Sequence, residues 1–356
     1  MQGNVEVKIE NQVLFGENGD LFLVGGGHSI LRFMQGADLP ARTAQMLHDN
    51  LVRRKAISEH YGAQFLHLIA PEKYVVYPEN LPIDNPGHMA RSYLTAGFGD
   101  AIYPVDVLRN PRRGRSYPLT DTHWSPHGIL AIVEDLALRC GIEVERIAQV
   151  AAAVSDEIFE DGAVFYGDLG RKLDPKQGDP QLKFGTPFHC TTFDNGLGHD
   201  FNSPFNDGRL IVVDAQQACS DKTLLIFGDS YLYHALQLLA LFFRRIVFMR
   251  TRFYHEEMVQ MVQPDVVVSQ MAERYMGSIA PDEVAPPFFM IPYLLGRPPN
   301  MSPQAAMALT HALCGRRSFD PTVFRLAPAG GPAEAPAPAA GSTPTPETAA
   351  TVSDQG

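Results

Sequence analysis

Lys222-Thr-Leu-Leu-Ile-Phe-Gly-Asp-Ser-Tyr231, with the apolar run that continues to Phe243, decides the fold. Four apolar residues in a row, Leu224 to Phe227, read as a strand buried on both faces. Gly228 and Asp229 break that strand. Beyond them Leu232, Leu236, Leu239 and Phe243 recur at helical spacing, so the unit is strand, tight turn, helix with Ser230 at the turn. A helix N-terminus offers unpaired N–H groups and the positive end of the dipole, which favour a developing oxyanion. Asp229 or Ser230 would equally serve as a simple helix cap.

The chain of 356 residues can bury a sizeable core, and 45% hydrophobic with 19% charged residues is the balance of a globular protein. A formal charge of −11 argues against a nucleic-acid partner, which would want a basic face. Cys140, Cys190, Cys219 and Cys314 are scattered without a C-x-x-C pair, so a cysteine zinc site is not expected, and disulfides are neither demanded nor excluded. The N-terminus has no basic n-region or apolar h-region and does not read as a signal peptide, which places the chain as written in the cytoplasm. Leu238 to Phe243 is far too short to span a bilayer, so no membrane insertion is expected.

In chain order, Val5 to Phe15 alternates loosely, and Asn18-Gly19 predicts a two-residue hairpin turn before Leu21–Val24. Gly25-Gly-Gly27 lacks the spacing and the Lys-Ser/Thr of a phosphate loop and is read as an ordinary loop. A helix is expected over 39–60, a strand over Gln64–Ile69, a second helix near 88–96 and a strand over Ala101–Val107. Arg109 to Arg115 holds four arginines, read as a solvated loop or as the rim of an anionic-glycan site. Ser125-Pro126 is a helix start, a cap followed by proline at the first position, for a helix to about Cys140, and another helix begins near Glu143. An irregular region with short strands is expected over 160–220. Ile246–Met249 and Val266–Val268 continue a βαβ alternation. Residues 1–326 are expected to form the folded domain, and the Ala/Pro-rich tail 327–356 to be disordered.

Asp121 and His123 supply a possible second half of a site. In extended backbone, residues i and i+2 point the same way. The Asp121 carboxylate can then fix one ring nitrogen of His123 and leave the other to take a proton from a serine. Trp124, the only tryptophan, would wall the site, bind a sugar face or belong to the core. His123 and His127 are four apart, which on a helix would suit a metal, but Pro126 between them starts the helix and argues against stacking.

Together these segments resemble a family. Asp-Thr-His-Trp at 121–124 followed by Gly-Asp-Ser at 228–230 is similar to the alginate O-acetyltransferase AlgJ/AlgX family, an SGNH-hydrolase-like group. Gly16–Phe22, Pro71-Glu-Lys73 with Tyr77-Pro-Glu79, Gly167-Asp-Leu-Gly170 and Pro264–Val268 through Glu273-Arg-Tyr275 fit the same resemblance. It implies an α/β, flavodoxin-like three-layer sandwich with a mostly parallel central sheet. The motif order is circularly permuted, the Asp-x-His preceding the serine. It also implies a Ser230–His123–Asp121 triad needing no cofactor and no metal. The implied activity is O-acetylation of polysaccharide hydroxyls through an acetyl-serine, with a membrane-bound O-acyltransferase as donor partner, and a periplasmic setting for a chain carrying a further N-terminal segment. Gly228, Arg274, Tyr275 and Trp124 are the accompanying substrate or oxyanion candidates, Arg274 and Tyr275 because they close a strand at its carboxyl end. Their plainer reading is a Glu273–Arg274 surface ion pair and a packed tyrosine; Arg250 and Arg252 rank below them. A carbohydrate acetylesterase with the same triad, and a non-catalytic subunit of a glycan-modifying assembly, are the competing expectations.

Overall fold

The computed structural model describes residues 7–26, 28, 30–99, 101–198 and 206–315; the expected tail lies outside them. A small antiparallel sheet comes first, from β1 (Ile9–Glu10), β2 (Val13–Phe15) and β3 (Leu21–Leu23). The central sheet contains β4 (Gln64–Ala70), then, beyond the separate hairpin of β5 (Ile158–Phe165) and β6 (Asp179–Phe184), β7 (Cys190–Asp194), β8 (Leu210–Ala215), β9 (Ser220–Gly228), β10 (Phe243–Arg250) and β11 (Val266–Ala272). Its spatial order is β4-β11-β9-β10-β8-β7. The first four run parallel, and β8 and β7 extend one edge antiparallel.

Alternation along β9 shows why this stretch organises the molecule. Leu224 and Ile226 face a core shared with the helices Pro126–Arg139, Val144–Asp156 and Ser230–Leu239. Leu225 and Phe227 face the opposite core, against the helices Glu256–Val262 and Pro303–Leu313. A neighbouring cluster packs Leu47 and Leu51 of the long helix Ala41–His60 on Ile69 and Met271. Each such fully buried aliphatic or aromatic side chain contributes about 1.5–3 kcal/mol. Both faces of the central strand are thus covered by helices, the three-layer arrangement of an SGNH-hydrolase-like sandwich. No helix among the described residues is long and apolar enough to cross a membrane.

Several local expectations change. Phe243 does not extend the serine helix: that helix ends at Leu239 and Phe243 opens β10, paired with Ser220. Helix and strand both bury this residue, so apolar spacing alone could not separate them. Ala101–Val107 is not a strand. Ile102 makes one isolated parallel bridge to Leu68, and Val105–Arg109 turns helical after Pro104. The Asn18-Gly19 hairpin exists with a longer connection, a 3-10 turn over Glu17–Gly19. Asp20 leaves the ladder because its carboxylate is fully buried, accepting hydrogen bonds from Asn80 and Arg115 with Lys73 Nζ 3.6 Å away.

Each arginine of the patch has a partner within the chain, although Arg112, Arg113 and Arg115 stay partly exposed. Arg109 donates to the Val75 and Val76 carbonyls, and Arg112, Arg113 and Arg115 pair with Glu134, Asp156 and Asp20. That loop is therefore not a rim of free cations.

Candidate active site

Strand β9 ends at Gly228, and the carboxyl ends of the parallel strands lie together there, where open α/β sheets hold ligands. Asp229, not Ser230, is the helix cap. Its Oδ1 accepts from the Tyr231 N–H at 2.9 Å, and its Oδ2 accepts from the Ala272 N–H at 2.7 Å. Ser230 is left free to be the first helical residue, with an N–H that has no intrahelical acceptor.

The structure brings the three sequence-derived residues together. Ser230 Oγ lies 2.9 Å from His123 Nε2, and His123 Nδ1 lies 2.8 Å from Asp121 Oδ1. A carboxylate only accepts, so Nδ1 carries the proton and Nε2 is the acceptor for the serine hydroxyl. Burial pushes the His123 pKa down, but the hydrogen bond and charge of Asp121, with the charge of Asp168, outweigh it and leave His123 more basic than the ordinary value of 6.5. For Asp121, burial pulls upward and the bonds to His123 prevail, holding its carboxyl below the usual range.

The loop bearing Asp121 and His123 owes its shape to distant chain. Asp179 accepts from the Leu119 and Thr120 N–H groups, and Thr120 O accepts from the Leu169 and Gly170 N–H groups. At the other end, Ser125 Oγ caps the Pro126 helix by accepting from the Gly128 N–H. Gly167 allows the closest approach: a Cβ there would sit 2.2 Å from Thr120 O and 2.7 Å from Asp121 Cβ. Gly167→Ala is expected to cost about 1–3 kcal/mol, and the displaced loop to cut turnover by about tenfold or more. Thermal melts and steady-state rates on the variant check this.

The secondary candidates divide. Trp124 is core: it is 5% exposed, donates through Nε1 to Tyr117 Oη at 3.0 Å and packs edge-on to Tyr231 at 4.8 Å, so its faces are not offered to a sugar. Arg274 is also buried. It pairs with Glu72 at 2.8 and 3.0 Å rather than with Glu273, and reaches Tyr231 Oη and Thr122 Oγ1 at 3.4 Å each. It braces the loop from inside and does not line the cavity that Gly228 borders. Glu273 instead accepts from the Glu72 and Ala90 N–H groups and from Tyr103 Oη. Gly228 and Tyr275 do line a cavity of about 460 Å³, together with Asp229, Gln270, Arg250 and Arg252.

Three residues near the site were not singled out by sequence. His234, one turn along the serine helix, sets its ring 5.3 Å from that of His123. Gln270 accepts through Oε1 from the Asp229 N–H at 3.0 Å and has a buried Nε2 with no partner among the described residues. Asp168, inside the Gly167–Gly170 motif, donates its N–H to Asp121 Oδ2 at 2.8 Å. The i+4 position was the available signal for His234 and the Gly167–Gly170 motif that for Asp168, while Gln270 lacked one.

Asp121, His123 and Asp168 each place one ligand-type atom within 4.8 Å of the others. The carboxylate oxygens are already engaged: Asp121 by the His123 and Asp168 N–H groups, Asp168 by the Thr122 N–H and Oγ1. That donor set suits a hydrogen-bonded triad better than a metal. His127 does not join it; its ring lies against Gly114, near Arg113.

A three-layer α/β sandwich with a mostly parallel sheet, carrying a Ser–His–Asp array, is thus the class that fold and site define. No protein-family model matches the sequence, and no curated protein matches it. Solved structures do. A DHHW family protein from Eubacterium siraeum is 16% identical with a TM-score of 0.53, covering 77% of this chain and 95% of its own. Bacillus cereus PatB1 with a sulfonyl adduct is 14% identical with a TM-score of 0.51, covering 77% and 98%. The O-acetyltransferase domain of Pseudomonas putida AlgJ is 18% identical, covering 80% and 99%, at a TM-score of 0.45. At such identities the first two likenesses establish a shared fold and nothing narrower.

Proposed function

We propose that this protein is a serine-dependent O-acetyltransferase acting on polysaccharide hydroxyls. The observation that carries the reading is the continuous Asp121–His123–Ser230 hydrogen-bond chain ending at a helix N-terminus; Gly228 and Asp229, which precede Ser230, line a cavity that the triad side chains themselves do not line. The motif resemblance to the AlgJ/AlgX family supports transfer over hydrolysis, a polysaccharide as acceptor and a membrane-bound O-acyltransferase as donor partner.

In the first half-reaction His123 Nε2 takes the proton of Ser230 as Oγ bonds to the acetyl carbon. The Ser230 N–H faces the oxyanion that develops. His123 then returns that proton to the departing donor oxygen as its bond to carbon breaks, leaving acetyl-Ser230. In the second half-reaction an acceptor hydroxyl gives its proton to the same nitrogen, attacks the acetyl carbon and displaces Ser230 Oγ. The proton goes back to the serine. Asp121 holds the Nδ1–H tautomer and stabilises the imidazolium in each half.

The test is release of p-nitrophenol from its acetate ester with and without an oligosaccharide acceptor, with acetylated sugar measured by mass. Acetyl-sugar formation supports the reading; release to water alone, unaffected by any acceptor, would sink transfer in favour of esterase chemistry. His123 must be neutral to act as base and is more basic than usual, so the rate is expected to rise with pH to half its maximum above pH 6.5. A half-maximum below that value would contradict the Asp121–His123 pairing as the active state.

A further inference from the structure

We propose that Asp168 is a positioning residue for His123, fixing both arms of the loop that joins it to Asp121; this rests on the serine-triad reading of the site. Asp168 follows β5 and is 47 positions from Asp121 in sequence. Its backbone N–H occupies Asp121 Oδ2 at 2.8 Å, so Oδ1 is the oxygen left to His123. Its own carboxylate clamps the intervening residue, accepting from the Thr122 N–H at 2.8 Å and from Thr122 Oγ1 at 2.5 Å. One residue therefore holds both the Asp121 side chain and the Thr122 N–H and hydroxyl. Loss of the clamp leaves Thr122 held only through its carbonyl by Tyr231 Oη and through Oγ1 by Arg274, and the peptide units on either side of it orient Asp121 and His123.

Asp168 also brings charge. Its carboxylate stands within 4.8 Å of the His123 and Asp121 ligand atoms. The groups that face His123 come from several elements: Asp121 on its own loop, Asp168 after β5, Ser230, Tyr231 and His234 on the serine helix, and Arg274 after β11. Lys73 acts on the two carboxylates from the short helix Lys73–Val76 after β4. Arg274 opposes protonation of His123, while Asp121 and Asp168 favour it. The second carboxylate thus strengthens the base that must accept the serine proton.

The experiment compares wild type, Asp168→Asn and Asp168→Ala. The His123 resonances are followed by NMR against pH, assigned with His123→Gln, and p-nitrophenyl acetate turnover is measured in parallel. Asn fills the same space and keeps an acceptor for the Thr122 N–H, so it remains informative where Ala unfolds the loop. In Asp168→Asn the His123 titration is expected to move to lower pH, with melting close to wild type. In Asp168→Ala the Nδ1–H resonance is expected to broaden or vanish. For either variant kcat should fall about 10- to 100-fold, with KM within about twofold. An unchanged His123 titration and tautomer in both variants, with only the melting temperature lowered, would overturn the proposal and leave Asp168 a purely structural residue. Failure of the enzyme reading is separate: it appears as wild-type turnover that Ser230→Ala does not reduce, whatever the NMR shows.

Discussion

Ser230→Ala is expected to remove acyl-enzyme turnover by about 10⁴- to 10⁶-fold while leaving the fold in place. The hydroxyl bonds only to His123 among the described groups, and the helix is capped by Asp229. Deleting one oxygen therefore costs no cap and no core contact, and stability should stay within about 0.5 kcal/mol. His123→Ala should cost as much turnover, and the double variant little more than either alone, because nucleophile and base act as one unit. Asp121→Asn should lose about 10⁴-fold, since an amide facing Nδ1 favours the wrong tautomer. Single-turnover assays with intact-mass detection of acetyl-Ser230 give the reading directly. Additive losses in the double variant, or an acetylated Ser230→Ala protein, would place the nucleophile elsewhere.

What the sequence made legible follows from range. Leu224 to Phe227 is apolar at every position because helices cover both faces of β9, so a local run reported a global environment. Ser125-Pro126 marked a helix start because capping is a matter of three residues. Asp121 and His123 were readable because their bond spans only two positions. The Arg274 partner was not. Glu273 is adjacent in sequence, yet Glu72, 202 positions away, takes the guanidinium because β4 and β11 are neighbours in the sheet. Asp168 stood in the Gly167–Gly170 motif, but its bond to Asp121, 47 positions away, was not legible for the same reason. Trp124 shows a different limit: an aromatic beside a histidine suits a wall, a platform or a core equally well until its N–H is seen bonded to a buried Tyr117.

The buried Arg274–Glu72 pair carries the second large expectation. Arg274→Ala should destabilise the protein by about 3–5 kcal/mol, because the Glu72 carboxylate stays behind without its counter-charge. Both groups are almost completely enclosed, at 6% and 4% exposure, so water cannot replace the lost partner. Burial already raises the Glu72 pKa, with Arg274 as the main opposing influence, and removing the guanidinium raises it further. An acid whose folded-state pKa is raised destabilises the fold increasingly as pH climbs from its ordinary value of 4.5 toward the raised one. The deficit in Arg274→Ala should therefore be largest near neutral pH and shrink on acidification, as Glu72 takes up a proton. Glu72→Gln combined with Arg274→Met removes both charges and should recover most of the loss. Turnover should stay lower even so, because Arg274 also braces Tyr231 Oη and Thr122 Oγ1, and Tyr231 Oη in turn donates to the Thr122 carbonyl beside His123. Urea melts of the single and double variants at about pH 7 and about pH 5 make the comparison. A deficit that is the same at both pH values would mean that the cost lies in packing and not in the stranded carboxylate.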